Sequence, residues 1–342
     1  MNNTILKISK LDSGYGKGKQ KKYICKNLVA HINSGELVCL LGENGTGKST
    51  LIRTLCKFQP ALSGDIVICE QNLNSLNERS LATLVAVVLT DRIVISNATV
   101  RELVELGRSP FTGMMGKLNE QDKKIVSRCM VQCGIDHKKD CLLTNLSDGE
   151  RQKAFIAKAL AQDTPLIILD EPTAFLDLPA RVEIIQLLRE IVTNSNRSIL
   201  MSTHDLDLAI QMADKLWLLS PKGSLESGSP EDLLINNSFL SLFNTKGIEF
   251  DSKVGLFKVK YKHYREITVK GHGFGYVLLR RAFSRKGIKI VSTPTNENII
   301  IEIENKDIPI FKIIYKDKII AQERSIEAIV KITFVYLNKK VA

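Results

Sequence analysis

The octapeptide Gly42-Glu43-Asn44-Gly45-Thr46-Gly47-Lys48-Ser49 constrains this chain more than any other feature. It follows Leu37-Val38-Cys39-Leu40-Leu41, an unbroken apolar run suited to a strand buried on both faces, and it leads into Ser49 to Leu55, which reads as a helix. Strand, glycine loop and helix in that order predict an α/β fold. Gly42, Gly45 and Gly47 permit backbone conformations barred to other residues, so successive N–H groups can curl around phosphate oxygens at the positive end of the helix. Lys48 is then placed to reach the β and γ phosphates of a nucleoside triphosphate, and the Ser49 hydroxyl to ligate Mg²⁺. Glycine-rich turns alone are common; the full G-x-x-x-x-G-K-S spacing behind an apolar strand is far more specific.

A second apolar run, Leu166-Ile167-Ile168-Leu169, ends in adjacent carboxylates, Asp170 and Glu171. Two acids together are costly in a core and suit a strand whose tip opens into a site. Asp170 is the expected Mg²⁺ partner, and Glu171 the group that orients and polarises the attacking water. A third run, Ser198 to Ser202, leads through Thr203 to His204, placed to hydrogen-bond the γ phosphate and that water. A lone histidine is more often structural, but the shared strand-tip position argues for chemistry here.

Between these segments, Leu146-Ser147-Asp148-Gly149-Glu150 precedes a helical stretch from Ala154 to Ala161, and Ser147 and Glu150 have the spacing of a capping box. Such a motif is bland alone. Just ahead of the Asp170 strand in a phosphate-loop chain, it resembles the signature of the ATP-binding cassette (ABC) family, and the resemblance spans residues 4 to 245 with the motifs in family order. It implies a P-loop nucleotide-binding domain of mixed sheet with a helical subdomain at about 75–160, binding ATP with Mg²⁺. Gly42, Glu43, Asn44, Gly45, Thr46, Gly47 and Lys48, with Ser49 and Thr50, would hold the triphosphate, and Tyr15 would stack on adenine. Catalysis would rest on Glu171, His204 and Lys48. Ser147 and Gly149 would contact the γ phosphate of a nucleotide held by the other subunit's Lys48 loop, so two cassettes meet head to tail, and Asp177 would join the two sites; a helix N-terminal acid is an equal reading of Asp177.

Two positions depart from the family pattern. Thr90 stands where a glutamine usually touches Mg²⁺ and relays to the membrane subunits; its hydroxyl can still ligate the metal, which predicts altered coupling. Asp148 stands where the signature has glycine, and a carboxylate there is expected to turn away from the phosphate. The stretches Ala98 to Pro110, Ala161 to Pro165 and His204 to Ala209 resemble ATPases of importers for iron-siderophore, haem and cobalamin. That implies a homodimer working with two integral-membrane permease subunits and, indirectly, a substrate-binding protein.

At 342 residues the chain is long for one core. The apolar run around Leu84 to Leu89 is far short of the ~20 residues of a membrane span, and Met1 to Lys7 lack a secretory pattern. The expectation is a peripheral protein on the cytoplasmic face of the cell membrane. All seven cysteines lie in the first half without a C-x-x-C pair, the usage of a reducing compartment; Cys129, Cys133 and His137 have helical spacing, and ordinary packing is the better reading than a metal site.

Residues 1–250 carry 29 basic and 28 acidic side chains, whereas residues 251–342 carry 19 and 9, which puts a domain boundary near Gly247 to Gly255. The expected division is 1–248 for the ATPase domain and 253–342 for a small α+β domain. In the latter Ile299, Ile301 and Ile303 alternate as a strand, as do Phe311, Ile313 and Tyr315. Leu278, Leu279, Ala282 and Phe283 have helical spacing, as do Ile326, Ile329, Val330, Thr333 and Leu337. Arg280, Arg281, Arg285, Lys286 and Lys289 cluster on and after the first of these helices. A solvated face or an anionic membrane explains them better than nucleic acid, for which no recognition motif is visible; a soluble cassette ATPase acting on nucleic acid or ribosomes through this domain is the alternative function.

Overall fold

Unbroken runs of branched and aliphatic residues become the interior strands of a covered sheet. In the computed structural model Leu37–Leu41 (β3), Leu166–Leu169 (β7) and Ser198–Ser202 (β8) are buried at every position, as strands flanked on both faces must be. The structure describes residues 3–16, 18–90, 97–113, 116–236, 238–239, 248–251, 256–295, 299–304 and 308–338.

Two sheets build the larger unit. Thr4–Tyr15 (β1), Lys22–Asn33 (β2), Ser63–Ile68 (β4) and Gln71–Asn72 (β5) form an antiparallel sheet in the order β2-β1-β4-β5. Val85–Val88 (β6), Lys215–Leu219 (β9) and Leu225–Gly228 (β10) complete a six-stranded sheet ordered β6-β7-β8-β3-β9-β10. Its first five strands are parallel and β10 is antiparallel, so the sheet is mixed. β3, β7 and β8 are neighbours, which brings the three expected strand tips to one edge. Between the sheets lie Leu6, Leu40, Leu51, Ile52, Ile168 and Trp217, all fully buried.

The short helix Glu78–Ala82 (α2), capped by Asn77, leads into β6. Helices Val100–Glu105 (α3), Glu120–Gln132 (α4) and Asp148–Ala161 (α5) pack on one another. Arg108, buried, fixes this group: its Nε donates to Asp122 Oδ1 at 2.9 Å and its Nη1 to the Ala161 carbonyl at 2.7 Å. The region assigned from sequence to the helical subdomain also contains β6, which belongs to the main sheet. The Cys129, Cys133 and His137 spacing does not survive folding. Gly134, at φ 64°, receives the helix end, with Gly134 N–H donating to Val131 O and Ile135 N–H to Met130 O, so His137 sits in a separate turn. Burial pushes the Cys133 thiol well above its ordinary pKa, and no metal-binding cluster occurs among the described residues.

The chain divides into two compact units, Met1–Asn244 with Phe250–Leu256, and Thr245–Glu249 with Phe257–Ala342. The boundary expected near Gly247 to Gly255 falls partly on residues outside the described ones, 247 and 252–255. Ile248–Asp251 (β11) and Leu256–Val259 (β12) pair as a two-stranded ladder along this stretch. In the second unit Arg265–Lys270 (β13), Ile288–Val291 (β14), Ile299–Glu304 (β15), Ile310–Tyr315 (β16) and Lys318–Glu323 (β17) form a sheet ordered β14-β13-β15-β16-β17. β13 runs parallel to both its neighbours; the β15, β16 and β17 pairs are antiparallel. Helices Phe274–Ser284 and Ile326–Asn338 close a core of Ile267, Leu279, Phe283, Ile301, Ile313 and Ile329. The alternating isoleucines and the helical stripes predicted β15, β16 and the two helices; β13, β14 and β17 were not foreseen.

Candidate functional site

The loop after β3 turns directly into Lys48–Leu55 (α1), and its backbone requires glycine. Gly47, the residue that starts the helix, has φ 105°, and a Cβ there would lie 2.4 Å from Ile24 Cγ2. No side chain caps α1. The contrast is informative, because Thr99, Asn119, Ser147, Asp177 and Asp205 each cap their own helix with a side-chain oxygen. The amides of the first turn of α1 therefore face the loop concavity without a side-chain acceptor, the arrangement an anion satisfies. Asn44, Gly45 and Ser49 are exposed along its open side, while Thr46 and Thr50 are buried. Glu43 lends its carbonyl to the Thr46 hydroxyl at 2.9 Å.

Lys48 Nζ folds into this loop and donates to the carbonyls of Gly42 at 2.8 Å and Glu43 at 3.2 Å. Burial of the ammonium lowers its pKa, and the nearby carboxylates of Glu171 and Asp170 offset part of that effect. The three groups therefore lie close in space although 122 residues separate Lys48 from Asp170 in the sequence. A cation, free helix amides and a glycine cradle fit the phosphate chain of a nucleotide. Tyr15, at the end of β1, is half exposed and shares a hydrogen bond with the Thr50 hydroxyl at 2.9 Å, so its ring stands beside α1.

At the tips of β7 and β8 the sequence reading missed one residue. Ser202, fully buried, donates from Oγ to Asp170 Oδ1 at 2.6 Å and accepts the Glu171 N–H at 2.8 Å. Glu171 holds φ 49°, an uncommon conformation for a residue with a side chain, and Ser202 pins its amide there. A hydroxyl in an otherwise apolar run, one strand away from the carboxylates, was the signal available. Thr90 donates from Oγ1 to the Asp170 carbonyl at 2.8 Å, which places it beside that residue. His204 Nδ1 lies 3.8 Å from Glu171 Oε2, with the imidazole largely exposed. Asp91, which follows Thr90, lies outside the described residues.

Ser147 and Glu150 form the expected capping box, and Ser147 is exposed, so the tip of α5 is open to solvent. Asp148 Oδ1 lies 3.5 Å from Arg151 Nη1 on its own helix. A methyl on Gly149 would meet only the Ala180 Cβ, at 3.2 Å. A cleft of about 440 Å³ runs between α5 and the carboxylate edge, lined by Thr90, Asp148, Gln152, Phe155, Glu171 and Phe175 among others. Asp177 caps Leu178–Ser195 (α6) by accepting from Ala180 N–H, as the alternative reading of that residue allowed. Arg181 then ties two loops: Nη2 donates to the Leu176 carbonyl and Nη1 pairs with Asp205 at 2.8 Å, one residue past His204.

This fold and loop define a P-loop nucleotide-binding cassette. The ABC transporter family matches residues 25–174, and the iron ABC transporter C-terminal domain matches residues 264–332. An uncharacterized ABC transporter ATP-binding protein of Methanocaldococcus jannaschii is 34% identical over 279 residues, covering 81% of this chain and 95% of that protein. The petrobactin import ATP-binding protein FpuC of Bacillus anthracis is 35% identical over 232 residues, 68% of this chain and 84% of that one. Among solved structures, CbiO1 of Clostridium perfringens, part of the ABC transporter complex CbiONQ, superposes with a TM-score of 0.61 at 28% identity, over 71% of this chain and 96% of that one. The chain belongs to the ATP-binding proteins of ABC transporters and is an ABC-type ATPase. No described helix is long and apolar enough to cross a membrane.

Proposed function

We propose that the chain is the ATP-hydrolysing subunit of an importer for iron-siderophore, haem or cobalamin, acting as a head-to-tail homodimer on two membrane permease subunits fed by a substrate-binding protein. Its place is then peripheral, on the cytoplasmic face of the membrane. The observation that carries the catalytic part is the convergence of Lys48, Asp170, Glu171 and His204 at one end of the parallel strands β3, β7 and β8. The cargo class rests on the iron ABC transporter C-terminal match and on the petrobactin-importing relative.

In this reading the loop from Gly42 to Lys48 and the first-turn amides of Ser49 and Thr50 bind the phosphates, and Tyr15 carries the adenine. Ser49 and Asp170, with Thr90 beside them, would hold Mg²⁺, which when bound would supply positive charge against the phosphates. Glu171 orients the attacking water and takes its proton as the bond between the γ phosphorus and the bridging oxygen breaks; His204 steadies the γ phosphate. The exposed tip at Ser147 and Gly149 supplies helix-end amides to the partner's nucleotide. Phe175 and Leu178, both strongly exposed on either side of Asp177, give that edge an apolar surface for a second copy.

Replacing Glu171 with Gln removes the proton acceptor and keeps the fold. Glu171→Gln with ATP and Mg²⁺ is expected to elute from gel filtration as a dimer and to return to monomer with ADP. A monomer under both conditions would rule out the nucleotide sandwich.

A further inference from the structure

The net positive charge of residues 252–342 is concentrated in their first half. Residues 252–296 contain 11 Lys and Arg against a single acid, Glu266, whereas residues 297–342 contain 8 against 7. Nearly the whole excess of the chain therefore sits in one stretch of 45 residues, and solubility alone does not require that segregation.

The fold gathers this stretch onto one surface. Residues 262–264 lie against the C-terminal end of helix Phe274–Ser284: Tyr264 N–H donates to the Gly287 carbonyl at 2.8 Å, and His263 Nε2 lies 3.4 Å from Ser284 Oγ. A methyl on Gly287 would meet the Tyr264 ring at 2.9 Å, so the two segments touch. Lys262, Arg281, Arg285 and Lys286 are exposed there, and Lys260 is exposed two residues before Lys262 in the chain. None of the five has an acidic side chain within ion-pair distance among the described residues, while Lys289 is paired with Glu266 at 3.1 Å and Lys270 with Glu302 at 3.3 Å. Cations at a helix C-terminus complement the macrodipole, which accounts for Arg281 and Arg285 but not for Lys260 or Lys262 on a separate segment. Tyr264, 80% exposed, and Tyr261, 37% exposed, stand among them.

We infer that this surface, formed by Lys260, Lys262, Arg281, Arg285 and Lys286 with Tyr261 and Tyr264, docks on anionic lipid headgroups. Five such cations fall in the range of basic clusters that bind acidic bilayers, and tyrosine suits the headgroup level, with its ring in the apolar boundary and its hydroxyl in water. Nucleic acid would call for a groove-reading helix or a sheet of stacking aromatics. Neither tyrosine lies on a strand, and the aromatics of the sheet, Phe311 and Tyr315, pack on the core. The inference rests on the charge map and not on the nucleotide site, so its failure leaves the ATPase reading untouched.

The test is flotation of the full chain with phosphatidylcholine vesicles, with and without phosphatidylglycerol. Binding is expected only to the anionic vesicles and should disappear near 0.5 M salt, where the Debye length has shrunk to about 4 Å. Each of Lys260→Gln, Arg281→Gln and Lys286→Gln should lower the partition coefficient about fivefold, and the three together should abolish flotation. Lys318→Gln, in the charge-balanced half, should leave binding unchanged, and basal ATPase should stay the same in every variant. If the triple variant does not fold, as read by its thermal melt, the single variants and the salt titration decide. Equal binding to neutral vesicles, single variants indistinguishable from the parent, or displacement from vesicles by duplex DNA or transfer RNA at equal charge would each overturn the inference.

Discussion

Ser202→Ala is the perturbation that tests the site most directly, because it touches neither the nucleotide loop nor the carboxylates themselves. It removes one hydrogen bond to an ionised carboxylate, Ser202 Oγ to Asp170 Oδ1 at 2.6 Å, and strips the acceptor from the Glu171 amide. A hydrogen bond to a charged group contributes about 1.5–3 kcal/mol, and an unsatisfied N–H costs about 1–3 kcal/mol where water cannot reach it. Because Glu171 is partly exposed, the lower end of the second figure applies, and a loss of about 2–4 kcal/mol in urea unfolding is expected. If about 1.4 kcal/mol of that is expressed in the transition state, kcat falls about tenfold. KM for ATP should hardly move, since Lys48 and the α1 amides keep their partners. Ser202→Thr, which restores the hydroxyl, should recover most of both losses. An alanine variant within about 0.5 kcal/mol of the parent and within twofold in kcat would refute the claim that Ser202 holds the two carboxylate residues in place.

Two further outcomes follow from the packing. Burial raises the Asp122 carboxyl pKa, but the Asn119 amide and the Arg108 guanidinium outweigh it and leave the group below the ordinary carboxyl value. Its stabilisation is then complete above that ordinary value and is lost as the pH falls through the lowered one. Arg108→Ala strands a buried carboxylate and should cost about 3–5 kcal/mol at neutral pH, less once Asp122 protonates, which urea titrations at neutral and acid pH would read; an unchanged midpoint would contradict it. Thr90→Gln breaks the 2.8 Å bond to the Asp170 carbonyl and gives that position a longer reach toward the proposed Mg²⁺ site. It should change the ratio of permease-stimulated to basal ATPase, and identical ratios in reconstituted complexes would dismiss a coupling role for Thr90.

The nucleotide edge was readable from the sequence because its parts are local. Gly42 to Ser49, Asp170-Glu171 and the Ser147 capping box each carry their geometry within eight residues or fewer, and unbroken apolar runs mark β3, β7 and β8. What escaped depends on distant partners. Ser202 reads as one more strand residue until β8 is laid beside β7. The end of α4 was set by Gly134 in a left-handed conformation, which parted His137 from Cys129 and Cys133 and which helical spacing alone does not register. β13 and β14 were hidden for another reason. Both strands are short, and a polar residue interrupts each apolar run: Thr268, itself buried, stands between Ile267 and Val269, and Lys289 between Ile288 and Ile290.

Arg181 gives the cassette a mechanical property. One guanidinium grips the carbonyl of Leu176, just ahead of Asp177, and the carboxylate of Asp205, just behind His204. A planar, permanently charged fork tolerates little change in the separation of the two groups it holds. In the dimer proposed above, a load placed on the Asp177 turn would thus travel through one side chain to the segment that follows His204.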